Sequence, residues 1–319
     1  MKKTIILMML VFATAFICDA QQRVGKLTLP FSLRPTADKW AEPTGIHKVV
    51  MEVYADFPDY TIYRPSDLTF FKENKLPVVI MMGPGCNQDG DSFRPFWTEV
   101  ASHGYLVIAV GAPLPDGYMP PIFFLGTEDI KMAMDWISEQ DKNPHSPFYK
   151  IADADRLSLW GQSCGGIQCL RQAADPRVSN LVFWNSGSVL MGNIDRDAPH
   201  VFGDGRDIYG TKDLKELVLA LDIPIAYFIG DTDMALRAAQ SDFDEITKAP
   251  VVYAVREIPG DSHAGTFREK NGGAFSEVAV AWLDWHLKKD KGAKGLFVGK
   301  KASLQNDPKW IDLKVKNVK

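Results

Sequence analysis

The sequence predicts an α/β fold, with a mostly parallel sheet enclosed by helices, and three observations carry that prediction. From residue 46 onward, short β-branched apolar runs alternate with longer amphipathic segments, the pattern of strands and helices taken in turn. Runs such as Pro77-Val-Val-Ile-Met-Met82 and Tyr105-Leu-Val-Ile-Ala-Val110 are almost continuously apolar, which suits central strands covered on both faces. The 319 residues, 46% of them hydrophobic, supply one large core, and no repeat or low-complexity linker divides them. The expected organisation is a leader over residues 1–20 and a single domain over 21–319, its core about 46–290 and its tail 291–319.

At the N-terminus, Lys2-Lys3 precede an apolar stretch from Ile5 to Ile17, and Cys18-Asp19-Ala20 follow. This order reads as a secretory signal cut after Ala20, and the stretch falls short of the roughly 20 apolar residues a membrane span needs. A secreted or periplasmic protein without stable membrane insertion is expected. Strands are predicted at 47–54, 60–64, 77–82, 105–110, 156–160, 179–184, 223–229 and 251–258. Helices are predicted at 92–103, 126–140, 164–174, 211–221, 235–247 and 275–289, the last carrying Val278, Ala281, Trp282, Trp285 and His286 at helical spacing. Segment 186–210, rich in Gly, Asp and Arg, reads as a long surface excursion or a small cap. The Lys-rich residues 291–319 read as a tail anchored by Phe297, Trp310 and Leu313.

The 36 basic and 40 acidic residues are interspersed, for a net charge of -4, so no basic block presents itself to phosphates and nucleic acid is not an expected partner. The cysteines left after the leader, Cys86, Cys164 and Cys169, form no Cys-x-x-Cys pair, and the histidines do not cluster, so no zinc site is predicted. Asn87-Gln88-Asp89-Gly90-Asp91-Ser92 lacks the distal glutamate of a calcium loop and reads as the cap of the helix from Ser92.

Chemistry enters at Gly161-x-Ser163-x-Gly165, which follows a predicted strand and precedes a predicted helix, the context of a nucleophile elbow. The glycines are needed because a serine in so tight a turn leaves no room for side chains two residues away. The helix that follows points free N–H groups at the same spot and favours the negative charge of an acyl-transfer intermediate. A serine needs a base, and in this arrangement acid and then histidine follow it in the chain. Of His200, His263 and His286, His263 in the loop Pro259-Gly260-Asp261-Ser262-His263-Ala264-Gly265 is best placed to swing toward the serine; His286 belongs to an apolar helix and His200 to the irregular excursion. The acid falls in Gly230-Asp231-Thr232-Asp233, with Asp233 preferred and Asp231 as the alternative, a turn-capping residue. An oxyanion would take the backbone N–H of Cys164 and one donor from Gly83-Pro84-Gly85-Cys86, where Pro84 has none; Cys86 is preferred and Gly85 is next.

Pro84-Gly85-Cys86, Ala101-Ser102-His103-Gly104-Tyr105, Gly161-Gln162-Ser163-Cys164-Gly165-Gly166, Gly230-Asp231-Thr232-Asp233 and Ser262-His263 resemble, in order and spacing, the dienelactone-hydrolase-like esterases. Within that group the match over residues 75–290 is similar to the branch of bacterial cutinases and polyester hydrolases, and to secreted hydrolases of undefined substrate. The resemblance implies an eight-stranded α/β-hydrolase core in three layers, cofactor-free cleavage of small-molecule or polymeric esters, and the triad Ser163, Asp233, His263. This chain departs from it at Cys86 and Cys164, where cutinase-like enzymes carry an aromatic and a methionine. If the N–H groups of both cysteines line one oxyanion hole, their Cα atoms come near the disulfide range of about 4.4–6.8 Å. A Cys86–Cys164 bond is then expected, with Cys169 left as a buried thiol; the alternative is three apolar fillers. A peptidase or amidase on the same scaffold and a non-catalytic binding protein are the rival functions. Met119, Phe123, Phe124 and Trp184 are either pocket lining or packing.

Overall fold

Ten strands pair into one sheet in the order β1-β2-β3-β5-β4-β6-β7-β8-β9-β10. They are β1 (Leu27–Leu29), β2 (Val49–Tyr54), β3 (Phe57–Pro65), β4 (Leu76–Met82), β5 (Leu106–Val110), β6 (Ala152–Gln162), β7 (Val178–Trp184), β8 (Ile225–Gly230), β9 (Val251–Arg256) and β10 (Trp310–Lys316). The computed structural model describes residues 27–29, 42–114, 125–189 and 212–318. Residues 1–20, read above as a leader, together with Met119, Phe123, Phe124, His200 and most of the 186–210 segment, lie outside them.

The six strands from β5 to β9 run parallel. An antiparallel β2–β3 hairpin continues the sheet beyond β5, and antiparallel β10 closes it beyond β9. Period-two side-chain alternation feeds both faces of this sheet. In β4, Val78, Ile80 and Met82 enter one core and Val79 and Met81 the other, all without exposure. The first core is covered by α2 (Thr127–Lys142), α3 (Cys164–Gln172), α4 (Lys212–Ala220) and α5 (Leu236–Glu245), and the second by α1 (Arg94–Ser102) and α6 (Gly273–His286).

All eight predicted strands and all six predicted helices are present, but the sheet exceeds the expected eight strands. The added β10 lies in the segment read as a tail, where Trp-Ile-Asp-Leu-Lys-Val-Lys alternates apolar with polar instead of running apolar throughout. Leu313 and Val315 turn to the α6 side, while Lys314 and Lys316 donate to Gln240 Oε1 and to the Phe243 and Asp244 carbonyls at α5. Such lysines on an edge strand also discourage pairing with other chains. Phe297 and Trp310 are buried, as the tail's anchoring required. Ser92 does not cap α1: the helix starts after Phe93 without a side-chain cap, and Ser92 Oγ has no partner among the described residues.

Chain order places the site. After β4 the chain moves outward to β5 and then crosses back to β6 on the other side of β4. Loops leaving the carboxyl ends of β4 and β6 therefore depart in opposite directions and open a crevice at this switch point.

Within α6, Phe275, Val278, Ala279, Trp282 and Leu283 are buried, and His286 packs at a tilt against Trp282 and Trp285 with centroids 4.0 and 4.3 Å away. Its Nε2 is buried without a partner among the described residues, and burial, aided by Lys289, pulls its pKa from 6.5 to about 3. Unfolded His286 thus takes a proton more readily than folded His286. Its neutral burial contributes stability that is full above the unfolded value of 6.5 and is lost as pH falls toward about 3. A His286→Phe variant should lose less stability than the parent on acidification across this window, measured as denaturant midpoints at both ends. Equal losses would contradict the assignment.

Candidate active site

β6 ends at Gln162 and α3 begins at Cys164, so Ser163 alone turns the chain, with φ 55° and ψ -126°. Left-handed backbone at a non-glycine residue costs on the order of 1–3 kcal/mol and survives only where its surroundings impose it. The imposing contacts are tight. A Cβ on Gly161 would sit 2.2 Å from Gly166 N, and one on Gly165 would sit 2.2 Å from Met82 O. The Ser163 N–H donates to Trp184 O at 3.1 Å, and Ser163 O accepts from Ser186 Oγ at 2.7 Å. The N–H groups of Cys164 and Gly165, the first two residues of α3, have no acceptor within the helix and lie beside the serine.

His263 joins Ser163 to Asp233. Its Nε2 is 2.9 Å from Ser163 Oγ and its Nδ1 is 2.6 Å from Asp233 Oδ2. In the tautomer with its proton on Nδ1, the ring donates to the carboxylate and Nε2 can accept from the serine hydroxyl. The Asp233 carboxylate has no exposed surface, and its other oxygen accepts from Ala235 N at 2.6 Å. Of the two carboxylates in this loop, Asp231 is occupied elsewhere: its Oδ1 accepts from Ile258 N at 3.1 Å, bracing the departure of β9. The His263 side chain is 21% exposed, which leaves the serine's partner open to a reacting molecule.

On the other flank, Cys86 and Cys164 form a disulfide with Cα atoms 5.5 Å apart, across 78 residues. It ties the loop after β4 to the first residue of α3. Gly85 and Cys86 both have positive φ, 62° and 46°, which curl this loop over the switch point. Cys169 is the buried free thiol; it donates to Trp160 O at 3.1 Å, and burial pushes its pKa up to about 12. Trp184 is fully buried against Phe96, Trp160 and Phe228, so it packs the core.

Four polar residues in this region were given no role by the sequence. Ser186 Oγ donates to the Ser163 carbonyl, and Gln162 Nε2 donates to His263 O at 2.8 Å. Thr232 Oγ1 donates to Ser262 Oγ at 2.8 Å, linking the loops that carry Asp233 and His263. Asn185, buried just past β7, donates from Nδ2 to Ser262 O and His263 O and accepts at Oδ1 from Gly230 N. The available signal was positional: a polar residue directly after an apolar central strand sits at the sheet's carboxyl edge.

Among the described residues no group of three or more His, Cys, Asp or Glu is arranged to hold a metal ion, and no helix is long and apolar enough to cross a membrane. Neither a protein-family model nor a curated protein matches the chain.

The 78-residue separation bridged by the disulfide makes it a substantial constraint on the unfolded chain. A Cys86→Ala/Cys164→Ala variant should be less stable by about 2–4 kcal/mol. Equilibrium denaturation under non-reducing conditions reads this directly, and an unchanged midpoint would contradict it.

Proposed function

We propose that this chain is a secreted serine hydrolase of the α/β-hydrolase type, cleaving carboxylic esters through an acyl-enzyme without a cofactor. One observation carries the reading: Ser163 Oγ, the His263 ring and the Asp233 carboxylate form a continuous chain with contacts of 2.9 and 2.6 Å, at the carboxyl edge of a parallel sheet. The strained turn, the disposition of helices on both sheet faces, and the order serine, acid, histidine support it.

In this reading Ser163 Oγ attacks the ester carbonyl while His263 Nε2 takes its proton. Asp233 keeps Nδ1 protonated and stabilises the imidazolium that forms. The carbonyl oxygen, now negative, receives the backbone N–H groups of Cys164 and Cys86, and the start of α3 adds a favourable dipole. Collapse of the tetrahedral species expels the alcohol, which takes the proton from His263. Water then attacks the acyl-enzyme with His263 again as base, releasing the acid and restoring the serine. The disulfide would hold the two oxyanion donors in register before substrate arrives.

With a short-chain aryl ester, Ser163→Ala should lower kcat on the order of 10⁴-fold or more while the fold survives. The parent should be labelled by a fluorophosphonate probe and the variant should not. Turnover retained by a folded Ser163→Ala protein would end this assignment. Asp233→Asn should also lower kcat, by about 10⁴-fold, because the wrong imidazole tautomer then faces the serine. Undiminished hydrolysis by that variant would remove Asp233 from the mechanism.

A further inference from the structure

We infer that Asn185 is a positioning residue, which holds the base loop across the sheet so that His263 meets Ser163; the inference rests on the serine-hydrolase reading above. The strands run β6-β7-β8-β9 across this part of the sheet. Ser163 follows β6, Asp233 follows β8 and His263 follows β9. Neighbouring strands are about 4.8 Å apart, so the ends of β6 and β9 lie roughly 14 Å from each other. His263 Nε2 nevertheless sits 2.9 Å from Ser163 Oγ. The loop after β9 must therefore fold back over the ends of β8 and β7.

β7 contributes no member of the triad. Its next residue, Asn185, occupies the place over which the base loop passes, fully buried and with φ 46°, a conformation asparagine tolerates better than most residues. Each hydrogen-bonding group of its side chain is used on a loop of the site. Nδ2 donates to Ser262 O at 2.9 Å and to His263 O at 3.0 Å, and Oδ1 accepts from Gly230 N at 2.8 Å. Gly230 is where β8 ends and the acid's loop begins, and its carbonyl accepts from Asp233 N at 3.1 Å. One amide thus spans the roots of acid and base alike. The His263 carbonyl takes a further donor from Gln162, the residue before the nucleophile.

These bonds are separable from those that build the sheet. β7 is held by its ladders to β6 and β8, and the Asn185 main chain anchors itself through its N–H to Phe228 O at 3.0 Å. Loss of the side chain leaves these intact and releases the base loop where the strands do not constrain it. A small drift is costly, since a misplacement of about 1 Å can lower a rate about 100-fold.

Two variants test this. Asn185→Gly keeps the left-handed backbone unstrained and removes the side chain. Asn185→Asp keeps the shape and the acceptor for Gly230 N but turns an oxygen toward the two base-loop carbonyls. Both are assayed with a short-chain aryl ester beside Ser163→Ala, after circular dichroism and a cooperative melt have established folding. The expected result is a kcat lowered about 100-fold in each, a KM within about twofold of the parent, and slowed fluorophosphonate labelling. A folded Asn185→Gly protein with parental kcat overturns the positioning role, provided Ser163→Ala is inactive. A loss confined to KM, or failure of both variants to fold, makes Asn185 a structural residue and overturns it as well. Turnover retained by Ser163→Ala refutes the serine-hydrolase reading itself, and the positioning role with it.

Discussion

Ser163 bends the chain from strand to helix in a single residue, and most of what surrounds it exists to make that bend tolerable. Its backbone lies in the left-handed region, where no side chain gains by being. The two flanking glycines remove the atoms that would collide with Gly166 and with the end of β4. The Ser163 N–H donates to Trp184 O and its carbonyl accepts from Ser186 Oγ and Gly166 N, which leaves the turn no better-paired alternative. The strain is small beside the burial of the sheet on both faces, which is why a core this large can hold so sharp a corner at its edge.

That corner recurs. Cys86, Ser163 and Asn185 all have positive φ, at 46°, 55° and 46°, and follow β4, β6 and β7. These are neighbours in the sheet. Parallel strands send every loop off the same edge, and a loop that simply continued would leave the edge open. A residue with positive φ instead turns the chain over the strand ends, so three adjacent loops converge on one crevice. Two of the three positions hold a polar side chain pointed into shared hydrogen bonds, and the third holds the disulfide. Glycine, the easier occupant of such a conformation, could supply none of these groups.

Much of this was legible in the sequence because it is local. The central strands announce themselves by uninterrupted apolar runs, α6 by its buried stripe, and the turn at Ser163 by glycines that only so tight a turn requires. The preference for Asp233 over Asp231 also rested on local position; in the structure Asp233 Oδ2 lies 2.6 Å from His263 Nδ1, and Asp231 Oδ1 accepts from Ile258 N. What escaped depends on neighbours in space. β10 alternates polar with apolar because it lies at an edge, and a Lys-rich alternation near a chain end reads as a tail. Asn185 and Gln162 acquire meaning only once the strand order is known, since no periodicity says that β9 lies three places from β6. Trp184 reads more readily as packing than as pocket lining, and the packing of α1 and α6 against the sheet decides for core.

The two flanks of Ser163 are braced by different means, and the difference suits what each flank must do. On the side of β4 the partner segments are 78 residues apart in sequence and carry the backbone N–H groups that the proposed mechanism uses without moving them. A covalent bond is effective there, because it lowers the entropy of the unfolded chain and asks for no adjustment during a reaction. On the side of β7 to β9 the braced group is an imidazole that, in the proposed mechanism, gains and loses a proton twice in each turnover. Hydrogen bonds from Asn185 and Gln162 fix the main chain of His263 and leave its ring to respond. Fixing the ring itself falls to Asp233, whose fully buried carboxylate is paired on both oxygens. A buried polar group needs such partners, so the bonds that orient the imidazole are also the ones that satisfy the carboxylate.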